Sequence, residues 1–494
     1  MALICVPITG PTNKDIEELL VRASACADMI EWRLDLFDEM ILEKLGRWIQ
    51  TSALPSLFTL RTKSHGGNFT STEEERLSLL KQLLELEPDY IDLECDTSVD
   101  FLNDVFKNYP KTRLILSYHD FKGTPDDLES IFLHMKQQPA HLYKIATMAH
   151  STLDGMRMLK LVQKYSGQLI GIAMGESSEF TRIAGAIYGS PITYASINDE
   201  QKTAPGQIVT DDLIKIYNYK QLTSETRLFG LIGDPVDKSI GHLVHNEVFR
   251  NEGLDALYVK MKVTKDELEA FLAFAKELHF SGLSVTMPLK EAILPFLDLL
   301  DNNADQIKAV NTVCFKEDRA IGYNTDSKGA LDAIEAHGPI KDKKVVILGA
   351  GGAARAVAYE AIRRGAFVVI VNRNTERARE MAECFGCSYG LLEEHLDYDI
   401  IINATPEDMP IDASVIIPKT IAMELKTVPR MTSFLQVAHE KGCTLVYGSD
   451  MFYKQAAGQF ELWFKTTYFV FDVNLIDRGV VSLRKADRVS LIRN

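Results

Sequence analysis

Lys144 stands in the run Leu142-Tyr143-Lys144-Ile145-Ala146, a primary amine inside a short apolar segment, and His119 closes the preceding run in Ser117-Tyr118-His119-Asp120-Phe121. Other polar residues recur at the ends of similar runs: Glu31 and Arg33 in EWRLD, Arg61 after Phe-Thr-Leu, Arg182 further on, and Thr203 with Gln207 in KTAPGQ. An amine that is desolvated and surrounded by cations loses its proton more readily and becomes a nucleophile able to form a Schiff base with a ketone. An imidazole is the side chain suited to moving protons near neutrality. The arginines suit an anionic, carboxylate-bearing substrate. Taken alone, a lysine in an apolar strand is more often a rim residue whose amine reaches water; the company of a histidine and three or more arginines favours the chemical reading.

A second chemistry is written in Lys344 to Ala354, an apolar strand that runs into Gly349-Ala350-Gly351-Gly352-Ala353-Ala354 and then a helical stretch to Arg364. In this G-x-G-x-x-A spacing the first glycine permits a tight turn, the second lets backbone approach a pyrophosphate, and the small third residue lets helix pack on strand. The helix N-terminus offers free N–H groups to the phosphates. About 20 residues on, the next apolar strand ends in Asn372-Arg373-Asn374 instead of the acid that would bind a ribose 2′-hydroxyl. Arg373, with Arg377 one turn later, suits a 2′-phosphate, so the expected cofactor is NADP.

Positioning these groups requires regular elements. Apolar or β-branched runs occur at residues 3–8, 28–34, 57–60, 90–93, 113–116, 142–146, 169–173 and 192–196, separated by helical periodicity such as 16–26, 73–86, 128–136 and 153–165. Eight alternating units in little over 200 residues predict a small (β/α)8 barrel, whose chemistry belongs at the C-terminal strand ends. The remaining length predicts further domains. With 46% apolar and 25% charged residues the composition is that of an ordinary globular protein, and the alternation of its elements makes it α/β. Its net charge of −15 is spread along the chain, which argues against nucleic acid or an anionic membrane as partner. Seven scattered cysteines, with only Cys384 and Cys387 in a C-x-x-C, read as reduced thiols rather than a metal site. The N-terminus lacks a basic region and a cleavage site, and no apolar run reaches membrane-spanning length, so a cytoplasmic protein starting near Met1 is expected.

In order, EWRLD, the arginine after the third strand, SYHDF, YKIATM, TRIAG and APGQ resemble type I 3-dehydroquinate dehydratase over residues 1–220. The resemblance implies that Lys144 forms the imine and His119 moves the protons. It assigns Glu31, Arg33, Arg61, Arg182, Thr203 and Gln207 to the substrate's carboxylate and hydroxyls. One position departs: the family's glutamate that orients the catalytic histidine is His65 here. Beyond a polar connector, Tyr217 to Thr226, the segments GDPVDKSIGHLVHN, GLSVTMPLK, KAVNTV, GYNTD and MFYKQAAGQFELW resemble shikimate dehydrogenase over 227–465. This implies Lys290 and Asp326 as the catalytic pair, Ser239 for the substrate carboxylate, and Thr286, Asn311 and Gln455 for its hydroxyls. Here the family's second serine is Gly241, whose N–H offers a substitute donor; its tyrosine is Thr427, and the asparagine before Val-Thr is Ser284.

The expected domains are a barrel over 1–220, a linker over 221–226, a substrate lobe over 227–328 completed by C-terminal helices at about 450–494, and an NADP-binding Rossmann lobe over 329–449. The apolar run Tyr468 to Ile476 matches nothing assignable. The expected function is bifunctional: dehydration of 3-dehydroquinate, then NADPH-dependent reduction to shikimate. The alternatives are quinate at the second site, or a metabolite-sensing regulatory protein built from the same domains; retention of Lys144, His119, Lys290 and Asp326 disfavours the latter.

Overall fold

Eight short runs of apolar and β-branched residues form parallel strands: β1 (Leu3–Ile8), β2 (Met29–Arg33), β3 (Ser56–Thr59), β4 (Tyr90–Glu94), β5 (Arg113–Asp120), β6 (Leu142–Met148), β7 (Leu169–Met174) and β8 (Ile192–Ser196). The computed structural model describes residues 2–9, 13–37, 44–391 and 397–465. Consecutive strands are neighbours in the order β7-β6-β5-β4-β3-β2-β1-β8, with the two-residue β9 (Ile208–Val209) beside β8. Pairing of the first strand with the eighth, Leu3 against Ile192, wraps the sheet round. The wall between β7 and β8 is joined through the helix Phe180–Ala184: Thr181 Oγ1 accepts from the Ala173 N–H, and the Arg182 carbonyl accepts from Thr193 Oγ1. This is the (β/α)8 barrel expected from the sequence.

Strand alternation decides what fills the barrel. Each strand places one buried residue in a common layer: Cys5, Met29, Leu57, Tyr90, Ile115, Leu142, Ile170 and Ile192. Because side chains two apart share a face, the next layer toward the C-terminal ends holds Glu31, Thr59, Asp92, Ser117, Lys144, Ile172 and Tyr194. The layer after that holds Arg33, Arg61, Glu94, His119 and Met174. The interior thus turns from apolar to polar along the strands.

By contacts the chain divides into one unit holding Met1–Leu228, Glu252–Val263 and Ala273–Leu278, and a second holding the rest. The polar segment Tyr217 to Thr226 is no exposed tether, since Tyr219 and Leu222 are buried. A mixed sheet follows: β10 (Arg227–Gly233), β11 (Ala256–Lys262), β12 (Gly282–Val285), β13 (Leu299–Leu300), β14 (Thr312–Lys316) and β15 (Arg319–Tyr323), in the order β11-β10-β12-β14-β15-β13. The third sheet contains β16 (Lys344–Leu348), β17 (Phe367–Val371), β18 (Ser388–Gly390), β19 (Ile400–Asn403), β20 (Ile421–Glu424) and β21 (Thr444–Val446). All its pairings are parallel and its order is β18-β17-β16-β19-β20-β21. That 3-2-1-4-5-6 order is the doubly wound dinucleotide-binding topology. The run Tyr468 to Ile476, and the part of the expected C-terminal helices beyond residue 465, lie outside the described residues. No described helix is long and apolar enough to cross a membrane.

Candidate active sites

All eight barrel residues singled out in the sequence, Glu31, Arg33, Arg61, His119, Lys144, Arg182, Thr203 and Gln207, line one pocket. Lys144, which lines the pocket, has a buried ion-pair partner that the sequence reading missed. Lys144 Nζ donates to Asp92 Oδ2 at 2.5 Å, and its side chain is only 5% exposed. Arg61 holds the other carboxylate oxygen of Asp92 at 2.7 Å, and Ser117 Oγ donates to that same oxygen at 2.6 Å. Behind Arg61 lies Glu94 at 3.4 Å, itself tied to the buried Arg76 at 2.7 Å. Burial by itself raises the Asp92 pKa, but Arg61 and Lys144 outweigh it and hold the carboxylate well below its usual range. The expected collection of cations around Lys144 is therefore balanced by carboxylates from β4. The ring of Tyr194 lies 4.7 Å from Nζ, a cation–π contact that fixes the amine from another side.

At the rim, Arg33 forms a bidentate pair with Asp35 at 2.8 and 2.9 Å, and Glu31 accepts from Thr59 at 2.8 Å. Arg182 donates to the carbonyls of Tyr194 and Pro205, while its buried Nε has no partner; burial, against Glu179, pulls its pKa down to about 10. An arginine whose desolvation is incompletely compensated is suited to receive an anion. Gln207 Oε1 accepts from Thr203 N–H at 2.7 Å, which leaves its amide NH2 for a ligand. His119 is pushed well below the usual imidazole value by burial, then by Arg61 and Lys144, with Asp92 opposing. His65 is carried over the pocket by a glycine turn: Gly66 has φ +79°, and a Cβ on Gly67 would lie 2.1 Å from the Arg61 carbonyl oxygen.

In the second unit Lys290 Nζ donates to Asp326 Oδ2 at 2.5 Å. Asn311 Nδ2 reaches Asp326 Oδ1 at 2.9 Å, Thr325 Oγ1 at 2.9 Å and Gln455 Oε1 at 3.3 Å, so four of the predicted residues form one network. Gln455 comes from the helix Gly448–Phe464, which lies close on the helix Asp326–Glu335. A Cβ on Gly329 would meet the Gln455 backbone nitrogen at 2.8 Å. The same helix supplies Gln459, unforeseen, which donates to Thr312 Oγ1 and accepts from Ser284 Oγ at 3.1 Å. Thr286 is pinned by Gly233, where a Cβ would come within 2.3 Å of its Cγ2. Ser239 is not part of the Lys290 network; its hydroxyl accepts from the Gly241 N–H at 3.1 Å. That N–H is therefore already engaged and does not substitute freely for the missing serine.

The dinucleotide turn closes on Lys290. Gly349 has φ +114°, and a Cβ there would lie 3.0 Å from the Ala404 carbonyl oxygen; a Cβ on Gly352 would lie 2.8 Å from Lys290 Cβ. By contrast, a Cβ on Gly351 would meet nothing within 4 Å, and the helix Gly352–Arg363 has no side-chain cap. Open space before uncapped N–H groups is the cradle a pyrophosphate requires. Ala350 and Ala354 are buried in the core, and Ala353 precedes the latter in the helix's first turn. Asn372 Nδ2 donates to the Asn374 carbonyl, Arg373 is 78% exposed with Glu407 at 3.3 Å, and Arg377 faces Glu291 at 3.9 Å. Both guanidiniums face solvent, and the donor set fits a phosphorylated ribose.

Residues 4–224 match the family described as type I 3-dehydroquinase, residues 231–313 the shikimate dehydrogenase substrate binding domain, and residues 332–426 shikimate / quinate 5-dehydrogenase. The chain is 34% identical over 498 residues to the Arabidopsis thaliana protein named bifunctional 3-dehydroquinate dehydratase/shikimate dehydrogenase, chloroplastic, spanning 94% of this chain and 82% of that one. It is 37% identical over 250 residues to shikimate dehydrogenase (NADP(+)) of Pyrococcus furiosus, spanning 49% of this chain and 92% of that one. The crystal structure of shikimate dehydrogenase from Aquifex aeolicus superposes with a TM-score of 0.50 at 33% identity, covering 53% of this chain and 99% of that one. Fold and sites define a two-part α/β enzyme, a barrel lyase joined to a dehydrogenase. The chain belongs to the bifunctional 3-dehydroquinate dehydratase/shikimate dehydrogenase family.

Proposed function

We propose that this chain converts 3-dehydroquinate to 3-dehydroshikimate and water in the barrel, and reduces 3-dehydroshikimate to shikimate with NADPH in the second unit. The observation that carries the reading is the buried Lys144–Asp92 pair in a pocket shared with His119 and three arginines. Lys144, starting as the ammonium paired with Asp92, gives one proton to His119, adds to the ketone, and expels the former carbonyl oxygen as water with that proton, leaving a cationic imine. The imine acidifies the neighbouring C–H bond, His119 takes that proton, and the substrate hydroxyl departs as water carrying a proton from the imidazolium. Hydrolysis of the imine frees Lys144. Asp92 holds Nζ in place throughout, Arg182 and Gln207 receive the carboxylate, and Glu31, Arg33, Arg61 and Thr203 fix the ring hydroxyls and the rim.

In the second unit NADPH supplies hydride when bound. Gly349 to Ala354 would hold its pyrophosphate, and Arg373, Arg377 and Asn372 its phosphorylated ribose. Lys290 donates the proton that the developing alkoxide needs and Asp326 keeps the ammonium aimed, while Asn311, Thr286, Gln455 and Ser239 orient the substrate. Residues 1–220 form the lyase and the chain from 227 the dehydrogenase, with lobes meeting near 328. Partners are these small molecules, and seven free cysteines fit a reducing compartment such as the cytoplasm.

The decisive experiment feeds 3-dehydroquinate and NADPH to the pure chain. Shikimate should form with one NADPH consumed per molecule, and borohydride added with 3-dehydroquinate should attach substrate to Lys144. Binding of these compounds without turnover would replace the enzyme reading with the sensor reading.

A further inference from the structure

His65 occupies the position where the family resemblance places a glutamate, and the structure gives its ring a carboxylate of its own. His65 Nε2 lies 3.0 Å from Asp96 Oδ2, in the turn that follows β4. The Asp96 side chain is 67% exposed and that of His65 only 14%, so the pair runs from solvent inward. On the inner side, His65 Nδ1 is buried without a hydrogen-bond partner, and His119 Nδ1 is buried without one as well. The two rings stand edge to face with centroids 6.4 Å apart.

The proton inventory turns this arrangement into a direction. An ionised carboxylate only accepts, so Asp96 places the proton of neutral His65 on Nε2 and leaves Nδ1 as a lone-pair acceptor facing the pocket. A glutamate at this position would offer His119 the same thing, an acceptor. An acceptor on that side favours the His119 tautomer with its proton on Nδ1, which leaves Nε2 free to act as a base. Burial, then Arg61 and Lys144, disfavour the His119 imidazolium, Asp92 on β4 favours it, and His65 adds a smaller contribution against it, which a carboxylate on the far side of the His65 ring would offset. Asp96 adds a second carboxylate on the outer side, one ring removed.

We propose that Asp96 and His65 form a positioning unit that sets the tautomer and basicity of His119, in place of the single glutamate of the family. The inference rests on the dehydratase reading of the barrel pocket, and its test separates the two. Asp96→Asn keeps the shape of the mostly exposed side chain but lets an amide donate to His65 Nε2, which reverses the tautomer and turns Nδ1 into a donor. Dehydratase kcat should fall on the order of 10-fold, as for loss of comparable orienting partners, with KM little changed. The acid limb of its pH profile should move to lower pH, because a negative charge that favoured the imidazolium is gone. Reductase activity should be unaffected. Adding His65→Glu to Asp96→Asn should restore kcat and return the limb upward, which loss of mere structural support would not allow. In parallel, nitrogen NMR of the 15N-histidine-labelled full chain reads the His65 tautomer and the His119 titration without reference to turnover. An Asp96→Asn protein whose His65 tautomer and His119 titration are unchanged overturns the proposal even if dehydratase activity is present. A chain that never dehydrates 3-dehydroquinate but shows both NMR shifts upholds the unit and overturns only the reaction assigned to it.

Discussion

At the scale of single residues, neighbouring charge and burial set what His119 and Arg373 can each do. His119 lies below 6.5 because burial, Arg61 and Lys144 all penalise its imidazolium more than Asp92 favours it. A base works only when deprotonated, and a depressed pKa keeps it deprotonated to lower pH. The acid limb of dehydratase kcat should therefore fall below pH 6.5, with activity lost as pH drops through the lowered value; a limb at or above 6.5 in a kcat–pH profile would remove His119 from that role. Arg373 makes the corresponding case in the dehydrogenase. Its exposure places it at the weak end of charge-assisted hydrogen bonding, so Arg373→Ala should erode the preference for NADPH over NADH by about 1.5 kcal/mol, roughly tenfold in kcat/KM. Equal use of both cofactors by the unmodified chain would contradict the assignment. Lys144, His119 and the arginines were legible in the sequence because ionisable groups in apolar strands are conspicuous. Asp92 and Glu94 were not, since polar residues at every second position of Tyr90-Ile91-Asp92-Leu93-Glu94 resemble the wet face of a strand. In a barrel that alternate face is the interior, and only closure reveals it.

At the scale of elements, the site of the second unit depends on how closely two helices approach. Gly329 on Asp326–Glu335 faces the Gln455 backbone so tightly that no side chain fits, and Gly458 likewise sits 3.0 Å, measured from an added Cβ, from Thr325. Asp326 begins one of these helices, while Gln455 and Gln459 lie on the other. Gly329→Val should force them apart, destabilise the protein by about 1–3 kcal/mol in urea unfolding, raise the reductase KM, and leave dehydratase kinetics unchanged. An unaltered KM would show that Gln455 does not hold substrate. Strand and helix positions came through from periodicity, with β5 and β6 extending further than their apolar cores, over Ser117 to Asp120 and Thr147 to Met148; the β5 extension includes the pocket residue His119. Gln459 escaped notice because a glutamine on a long helix is ordinarily solvated. Its burial follows from the packing of that helix against β14, which local sequence does not record.

At the scale of the molecule, each unit carries its own proposed set of reacting groups. Lys290→Ala should abolish reduction and leave dehydration near normal, and Lys144→Ala should do the reverse, as read by separate assays on each substrate. Loss of both activities from either change, with the fold shown intact by circular dichroism, would mean that the units do not work independently. The sequence disclosed this duality through two unrelated motif sets, one ending near Gln207 and the other beginning near Gly233. Completion, however, is staggered. The last barrel strand ends at Ser196, whereas Gln455 and Gln459, proposed and packed parts of the dehydrogenase site, come from the helix Gly448–Phe464. On a ribosome adding about 5–20 residues per second, the lyase half can close tens of seconds before the segment that finishes the reductase is made. During that interval the nascent chain exposes the flank of Asp326–Glu335 that this helix later covers. Through that interval the reductase half of a growing chain stays open to chaperone binding, to proteolysis and to the consequences of a premature stop.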